Sequence, residues 1–240
     1  MFQTVLWPLV MSEGESELSF EGGTHNPMAP CFDFICEVFA PLVRRMGVEL
    51  ELSIERHGFM PAGGGRFTAR VCGGSPLRGI DLLEGGEILR RRATALVSNL
   101  PGTIAIRELR RTRELLGWKN EECLPNVVSD SRGPGNVLTL LLEREALNEM
   151  VTVFGEVDIT AEEVAARGAE MLEGYLAHGA PVGQHLADQL VIPMALAGEG
   201  SYATGPLSEH TRTNLDVVAR FIDTPVAVSE EAGRTLLQFG

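Results

Sequence analysis

The stretch VELELSIERHGFMPAGGGRFTARV, residues 48–71, decides the fold of the first third of the chain. Apolar and polar side chains alternate over residues 48–55 and again over residues 66–71, which is typical of strands with one face on a core. The three glycines at 63–65 precede a strand rather than a helix, so they offer no helix terminus to a phosphate. We therefore interpret them as the corner of a hairpin that needs positive φ.

Similar elements lie on either side of this hairpin and at the other end of the chain. Apolar residues recur at helical spacing over residues 32–46, and Pro41 within them predicts a kink or break. The last third has the same order of elements as the first: helix, strand, helix, two strands. Its final strands form a hairpin around residues 231–233. We expect an α/β (α+β) fold built from repeated units, each with two helices on a four-stranded sheet.

The middle of the chain reads as a separate small α/β unit. Residues 88–98, 136–143 and 150–156 have strand character, and an arginine-rich helix begins at Pro101. Thr160 and Glu163 form a capping box at the start of a further helix. We expect residues 83–178 to be a smaller domain inserted into a larger, discontinuous domain of residues 1–82 and 179–240.

Charge and lysine content exclude several classes of protein. The net charge is −13, from 20 basic and 33 acidic residues, which excludes a generally basic coat for nucleic acid. Lys119 is the only lysine, and no glycine-rich loop precedes it. A phosphate-binding P-loop is therefore excluded, and a lysine nucleophile would have to be this one residue in a charged, loop-like stretch.

Cysteine use and hydropathy predict a cytoplasmic protein that does not span a membrane. The four cysteines form no Cys-x-x-Cys pair, which favours reduced thiols over a zinc ribbon or a disulfide framework. No stretch reaches the roughly 20 apolar residues of a membrane span. Residues 1–11 lack the features of a signal peptide. The chain begins inside an apolar segment, and we expect it to be part of something longer.

Two segments near the C-terminus hold the densest cluster of polar residues. His185 and Asp188 share one face of a predicted helix, and His210 lies at the entry to the next helix. A helix start favours an anion and a neutral imidazole, which suits a phosphoryl or nucleotidyl acceptor. Two other interpretations are a helix-capping histidine with a surface carboxylate, and a zinc site formed by all three residues, although their spacing matches no standard zinc site.

The segment 22–30 runs from a predicted strand into a helix start. Pro30 at its end has a flat apolar face that could pack on a base, and a rigid turn is the alternative.

Four motifs carry a resemblance to a known family. The chain resembles the RNA 3′-terminal phosphate cyclase family over essentially its whole length. The motifs, in the family's order, are GGTHNPMAP at 22–30, RHGFMPAGGG at 56–65, HLADQ at 185–189 and GPLSEHTRTN at 205–214.

The resemblance implies an ATP-dependent enzyme. Such an enzyme converts an RNA 3′-phosphate into a 2′,3′-cyclic phosphodiester through a covalent histidine–AMP, with Mg²⁺ or Mn²⁺ and release of pyrophosphate. The expected partners are ATP and RNA with a 3′-phosphate end, and neither DNA nor a membrane.

The resemblance also implies roles for individual residues. His210 matches the adenylated histidine, and Pro30 matches a proline packed on the adenine. No residue is assigned to a metal. The remaining residues implied to bind the nucleotide are Gln3, Phe154, His185, Leu186, Ala187, Asp188 and Gln189.

The chain departs from the family pattern in two places. Family members often have tyrosine where His185 stands, so base stacking on that side would be weaker or made by imidazole. The family also begins with a further repeat upstream of the segment that matches Met1, so we expect a C-terminal portion that adenylates poorly by itself. Two alternatives are a cyclase-like RNA-binding or assembly protein without activity, and an inactive nucleotide-binding fragment.

Overall fold

The computed structural model describes residues 1–27, 29–231 and 233–240. The helices are α1 Phe2–Met11, α2 Phe32–Phe34, α3 Ala40–Arg45, α4 Thr103–Leu116, α5 Ala161–Ala177, α6 Gln184–Ala197 and α7 Glu209–Val218. The strands are β1 Gly14–Gly22, β2 Glu49–Arg56, β3 Gly65–Gly73, β4 Asp81–Leu82, β5 Ile88–Ser98, β6 Cys123–Val128, β7 Gly135–Arg144, β8 Asn148–Phe154, β9 Gly200–Thr204, β10 Val226–Glu231 and β11 Arg234–Phe239. Met28 in the first motif and Ala232 in the predicted C-terminal turn lie outside the described residues.

The α/β fold and its repeated order of elements are confirmed. The helix α1, strand β1, helices α2 and α3 and hairpin β2–β3 are followed, later in the chain, by α6, β9, α7 and hairpin β10–β11. The second unit has the expected four strands, in the order β10-β11-β9-β4, with β4 parallel to β9. The first unit differs from the prediction, because the described residues give it three strands in the order β1-β3-β2. A counterpart of β4 beside β1 is absent from that part of the chain.

The inserted unit is a third sheet, in the order β6-β5-β7-β8, with α4 and α5 packed against it. Its capping box is confirmed, because Thr160 Oγ1 accepts the Glu163 N–H at 3.2 Å and Glu163 Oε2 accepts the Thr160 N–H at 2.8 Å. The sequence did not predict β6. This edge strand contains Pro125 and is largely exposed, so it lacks the alternating pattern that marks the other strands.

Two main apolar cores follow this arrangement. The larger core draws its buried side chains from both repeated units, with a few from β7 and β8. The second core lies between the sheet of the inserted unit and helices α4 and α5. The predicted domain limits at residues 82/83 and 178/179 stay a prediction.

Helix α1 is the first helix of the predicted order, but its bounds were not predicted, because Pro8 lies inside it. Phe2, Leu6, Trp7 and Val10 are buried at helical spacing, so one face of the helix packs into the larger core. The free energy gained by burying these side chains offsets the loss of the backbone hydrogen bond that a proline inside a helix removes.

Of the kink or break predicted at Pro41, the break is wrong and the kink stays a prediction. Residues 32–45 run on as one helix, because a π-helical turn, Ile35–Phe39, lies directly before the segment that contains Pro41. A proline lacks an N–H and clashes with the carbonyl four residues earlier, and the wider turn accommodates both effects.

The glycine-rich corner is confirmed, and it holds the segment that carries Pro30. Gly63 and Gly64 have φ of +59° and +70°. A Cβ on Gly58 would lie 2.2 Å from the Gly65 backbone nitrogen, so the two backbone segments can approach only as glycines. The Gly58 carbonyl accepts N–H groups from residues 24 and 25, each at 2.9 Å. The motif at 56–65 thus fixes the start of the motif at 22–30.

Candidate functional site

The start of α7 places His210 at the surface. Ser208 is the N-cap, and its Oγ accepts the Thr211 N–H at 3.1 Å. The helix begins at Glu209, slightly earlier than predicted, so His210 lies in its first turn. The first amides of a helix lack partners within the helix and carry the positive end of its dipole. The exposed imidazole of His210 therefore lies beside a position that favours an anion.

Asp188 lies between the starts of α6 and α7. The Asn214 side-chain amide donates to Asp188 Oδ1, and to the Asp188 backbone carbonyl at 3.4 Å. Burial raises the pKa of Asp188 above its ordinary value, and the charges of His210 and His185 and the Asn214 hydrogen bond oppose that rise. The structure thus brings three of the predicted residues, His185, Asp188 and His210, close enough to interact electrostatically.

Leu186 and Ala187 point away from this cluster. Their side chains are buried in the larger core. Tyr202 Oη donates to the Ala187 carbonyl at 2.8 Å, which ties α6 to β9. A bound nucleotide could therefore meet these two residues only through their backbone atoms.

Gln189 connects the two repeated units. Gln3 Nε2 donates to Gln189 Oε1 at 2.5 Å, and Gln189 Nε2 donates to the His185 backbone carbonyl at 2.9 Å. Gln3 and Gln189 are 186 positions apart in the sequence. Two residues that the resemblance assigned separately are thus in direct contact.

Gln3 and Pro30 line the same cavity, of about 270 Å³. Its apolar walls include Phe20 and Phe67, whose rings stack with their centroids 4.8 Å apart. Pro30 is exposed. A flat, apolar pocket with an amide at its edge can hold an aromatic base.

His185 lines a second, larger cavity of about 370 Å³. The sequence analysis missed the residues that share it, above all Glu149 and Tyr175. Burial raises the pKa of Glu149 to about 7 and that of Tyr175 to about 12. The available signal was a lone carboxylate in the apolar strand β8, because a buried charge needs a specific reason to be there.

Phe154 is not brought to these residues. It is half-buried, and it packs between the larger core and a small cluster of Phe59, Leu96 and Val137. Phe154 lines neither of the two cavities described above. Its place in a nucleotide pocket stays a prediction.

The geometry gives no support to a zinc site. Within residues 1–27, 29–231 and 233–240, no group of three or more His, Cys, Asp or Glu side chains converges as metal ligands, and that includes His185, Asp188 and His210. A separate finding concerns membranes: no helix in the described part of the chain is long and apolar enough to cross one.

Comparison with known proteins identifies the family of the chain. A family model described as RNA 3′-terminal phosphate cyclase matches residues 1–228. Proteins named RNA 3′-terminal phosphate cyclase from Pseudomonas aeruginosa and Koribacter versatilis are 42% and 41% identical to the chain, over 97% and 96% of its length. A protein of the same name from Salmonella paratyphi C is 42% identical over 99%.

The matches cover 67%, 65% and 68% of those three relatives, so the chain spans about two thirds of their length. All four motifs quoted above lie within the matched residues 1–228. With its repeated units, its inserted sheet and this similarity along nearly its whole length, the chain belongs to the RNA 3′-terminal phosphate cyclase family of enzymes.

Proposed function

We propose that the chain takes part in the ATP-dependent conversion of an RNA 3′-terminal phosphate to a 2′,3′-cyclic phosphodiester, with His210 as the residue that carries AMP. One observation carries the proposal. His210 lies in the first turn of α7, and Asn214 of the same helix donates a hydrogen bond to the half-buried Asp188, whose pKa the charges of His210 and His185 lower against the effect of burial.

The first step needs a nucleophile and a means of balancing charge. The imidazole nitrogen of His210 attacks the α-phosphorus of ATP, a phosphorus–nitrogen bond forms, and the bond to the pyrophosphate oxygen breaks. Positive charge develops on the imidazole as it attacks. Asp188 stabilises that charge, and Asn214 holds the Asp188 carboxylate in place.

The second step transfers AMP from His210 to an oxygen of the RNA 3′-phosphate, which frees the imidazole. The neighbouring 2′-hydroxyl then attacks the activated phosphorus, the cyclic diester forms, and AMP leaves with the bridging oxygen. Since His210 is exposed at the surface, its bound AMP is accessible to the end of an RNA strand.

The base of ATP is proposed to lie between the segment that carries Pro30 and the start of α6. Gln3 and Pro30 line one cavity, His185 lines the other, and Gln189 bonds to both Gln3 and the His185 carbonyl. These contacts support a base that lies along the line from Pro30 to His185, and the proposal places the α-phosphate toward His210.

The proposal includes Mg²⁺ or Mn²⁺ bound with the ATP phosphates, as is usual for nucleotides. The described residues contain no group of three converging ligands for it, so the ATP phosphates would supply its main ligands. We also propose that the chain works in the cytoplasm. Cys31, Cys36, Cys72 and Cys123 are all free thiols, which suits a reducing compartment.

Labelled ATP tests the proposal directly. Incubation with ATP that carries ³²P at the α-phosphate should give an acid-labile protein adduct, and even a low yield of adduct that mass spectrometry maps to His210 would support the proposal. Replacement of His210 with Asn should abolish it. An adduct that persists in His210→Asn would show that another residue is the nucleophile. RNA binding without any adduct would favour the non-catalytic alternative.

A further inference from the structure

Glu149 is a buried carboxylate that the proposed reaction does not use. It lies on β8 in the inserted unit and is 5% exposed. Its Oε1 accepts the Met150 N–H at 3.1 Å, and its Oε2 accepts the Gly183 N–H at 2.7 Å. Gly183 is the N-cap of α6, so a residue of the inserted unit contacts the start of the helix that carries His185 and Gln189.

The hydrogen bond from Gly183 to Glu149 takes the place of a side-chain cap that α6 does not have within its own sequence. In a capping box, a Glu three residues into the helix accepts the N–H of the N-cap residue. α6 has no side-chain cap, and Glu149 makes the equivalent bond from another part of the chain. A Cβ on Gly183 would lie 2.6 Å from Glu149 Oε2, so a side chain there would push the carboxylate away from this position. A negative charge at a helix start is also favourable.

A second residue of the inserted unit holds the same segment. Tyr175 Oη, from α5, donates to the Pro181 carbonyl at 2.8 Å, and Arg144 donates to Tyr175 Oη at 3.3 Å. On the opposite side, the Val182 N–H donates to the Ala203 carbonyl of β9 at 3.1 Å. Residues 181–183 are thus fixed from both sides immediately before His185.

We propose that Glu149 is a positioning residue that fixes the start of α6 and thereby sets the affinity of residues 185–189 for the nucleotide. The inference rests on the proposed function, since it assumes that these residues bind ATP. The inserted unit thereby takes part in nucleotide binding through Glu149, although Glu149 itself does not contact the ligand.

The ionisation of Glu149 provides a pH readout. The groups that surround its cavity are Tyr175 from α5, with Arg144 behind it, His178 after α5 and His185 from α6. The ionised carboxylate accepts both backbone N–H groups, whereas the protonated form has one oxygen occupied by its own proton. The hydrogen bond from the Gly183 N–H to Glu149 should therefore strengthen as pH rises through the raised pKa of Glu149, about 7.

Glu108 offers a matched control. It is also a buried glutamate of the inserted unit, it accepts one hydrogen bond from Asn136 Nδ2 at 3.1 Å, and burial likewise raises its pKa to about 7. It lies on α4, in the second core rather than against α6. Glu108→Gln and Glu149→Gln thus remove the same charge from similar surroundings, but only Glu149→Gln removes an acceptor from the start of α6.

Amide hydrogen exchange tests the contact without any ligand. Glu149→Gln should speed the exchange of the amides of residues 183–187 about tenfold, as expected for the loss of a hydrogen bond to a charged group. Exchange in strands β7 and β8 should stay slow, which shows that the variant is folded. Glu108→Gln should leave residues 183–187 unchanged. Unchanged exchange at these residues in Glu149→Gln would overturn the proposal.

ATP affinity then tests the consequence. Titration calorimetry from pH 6 to pH 8 should show a several-fold higher Kd for Glu149→Gln at pH 8 and a flatter pH profile, whereas Glu108→Gln should follow the unmodified chain. Equal ATP affinity in the two variants would overturn the positioning role. If the unmodified chain binds no ATP, the proposed function fails, and exchange at residues 183–187 alone decides whether Glu149 fixes the start of α6.

Discussion

The side-chain amide of Asn214 donates a hydrogen bond to the carboxylate of Asp188, which joins α7 to α6. Asn214 lies four residues after His210, so both side chains are on the same face of α7. Asp188 is consequently held by the second turn of α7 while it interacts with a histidine in the first turn. Asp188 therefore lies where its carboxylate can respond to charge on His210.

Asp188→Asn should slow the formation of the His210 adduct by about tenfold or more, because a neutral amide cannot stabilise positive charge on the attacking imidazole. Single-turnover labelling with ATP measures the rate. Asp216→Asn is the matched control, since Asp216 is an exposed carboxylate later on α7. A rate loss of the same size in both variants would mean that the loss of any negative charge near α7 slows the reaction. The interaction between Asp188 and His210 would then not be the cause.

Local patterns were enough to predict most of the fold. The strand at 88–98 was predicted with the limits that β5 has, and the capping box at Thr160 was read from four consecutive residues. Missing bounds, as for α1, and missing strands, as for β6, occur where packing outweighs local preference. α1 contains Pro8 and forms because its apolar face is covered by strands distant in the sequence, and β6 pairs with β5 although it contains Pro125.

The sequence analysis predicted the site less completely than the fold. The motifs named His185, Asp188, Gln189 and His210, because they lie in two short segments. Contacts between distant segments were not predictable from spacing. The bond between Gln3 and Gln189 and the bond from Gly183 to Glu149 both depend on how the units pack, and no local pattern encodes that packing.

The Gln3–Gln189 hydrogen bond should couple the two residues in nucleotide binding. Gln3→Ala and Gln189→Ala should each weaken ATP binding, and the double variant should lose less than the sum of the single losses. The expected coupling energy is on the order of 1 kcal/mol, typical of a neutral hydrogen bond. A double-mutant cycle of ATP dissociation constants measures it. Additive losses would show that the two glutamines act independently.

The buried Glu108 should make the protein less stable as pH rises. Burial raises its pKa from 4.5 in the unfolded chain to about 7, so its stabilising contribution is fully present below pH 4.5 and is lost as pH rises through 7. Between pH 5.5 and pH 8, the loss should be about 2 kcal/mol in the free energy of unfolding. Urea unfolding at both pH values should show that loss reduced in Glu108→Gln. An identical pH dependence in the variant would contradict the shifted pKa.

Pro30→Gly should weaken ATP binding while it leaves the fold intact. Pro30 is exposed beside the cavity that it shares with Gln3, so its loss removes a flat apolar face without opening a core. A packing contact of this kind with an aromatic base contributes on the order of 1 kcal/mol, or about a fivefold change in Kd.

Replacing proline with glycine also makes the unfolded chain more flexible, which lowers stability wherever it is done. Pro125→Gly, in the exposed strand β6 of the inserted unit, controls for that effect. Calorimetry should give a raised ATP Kd for Pro30→Gly alone, and an unchanged Kd would remove Pro30 from the nucleotide site.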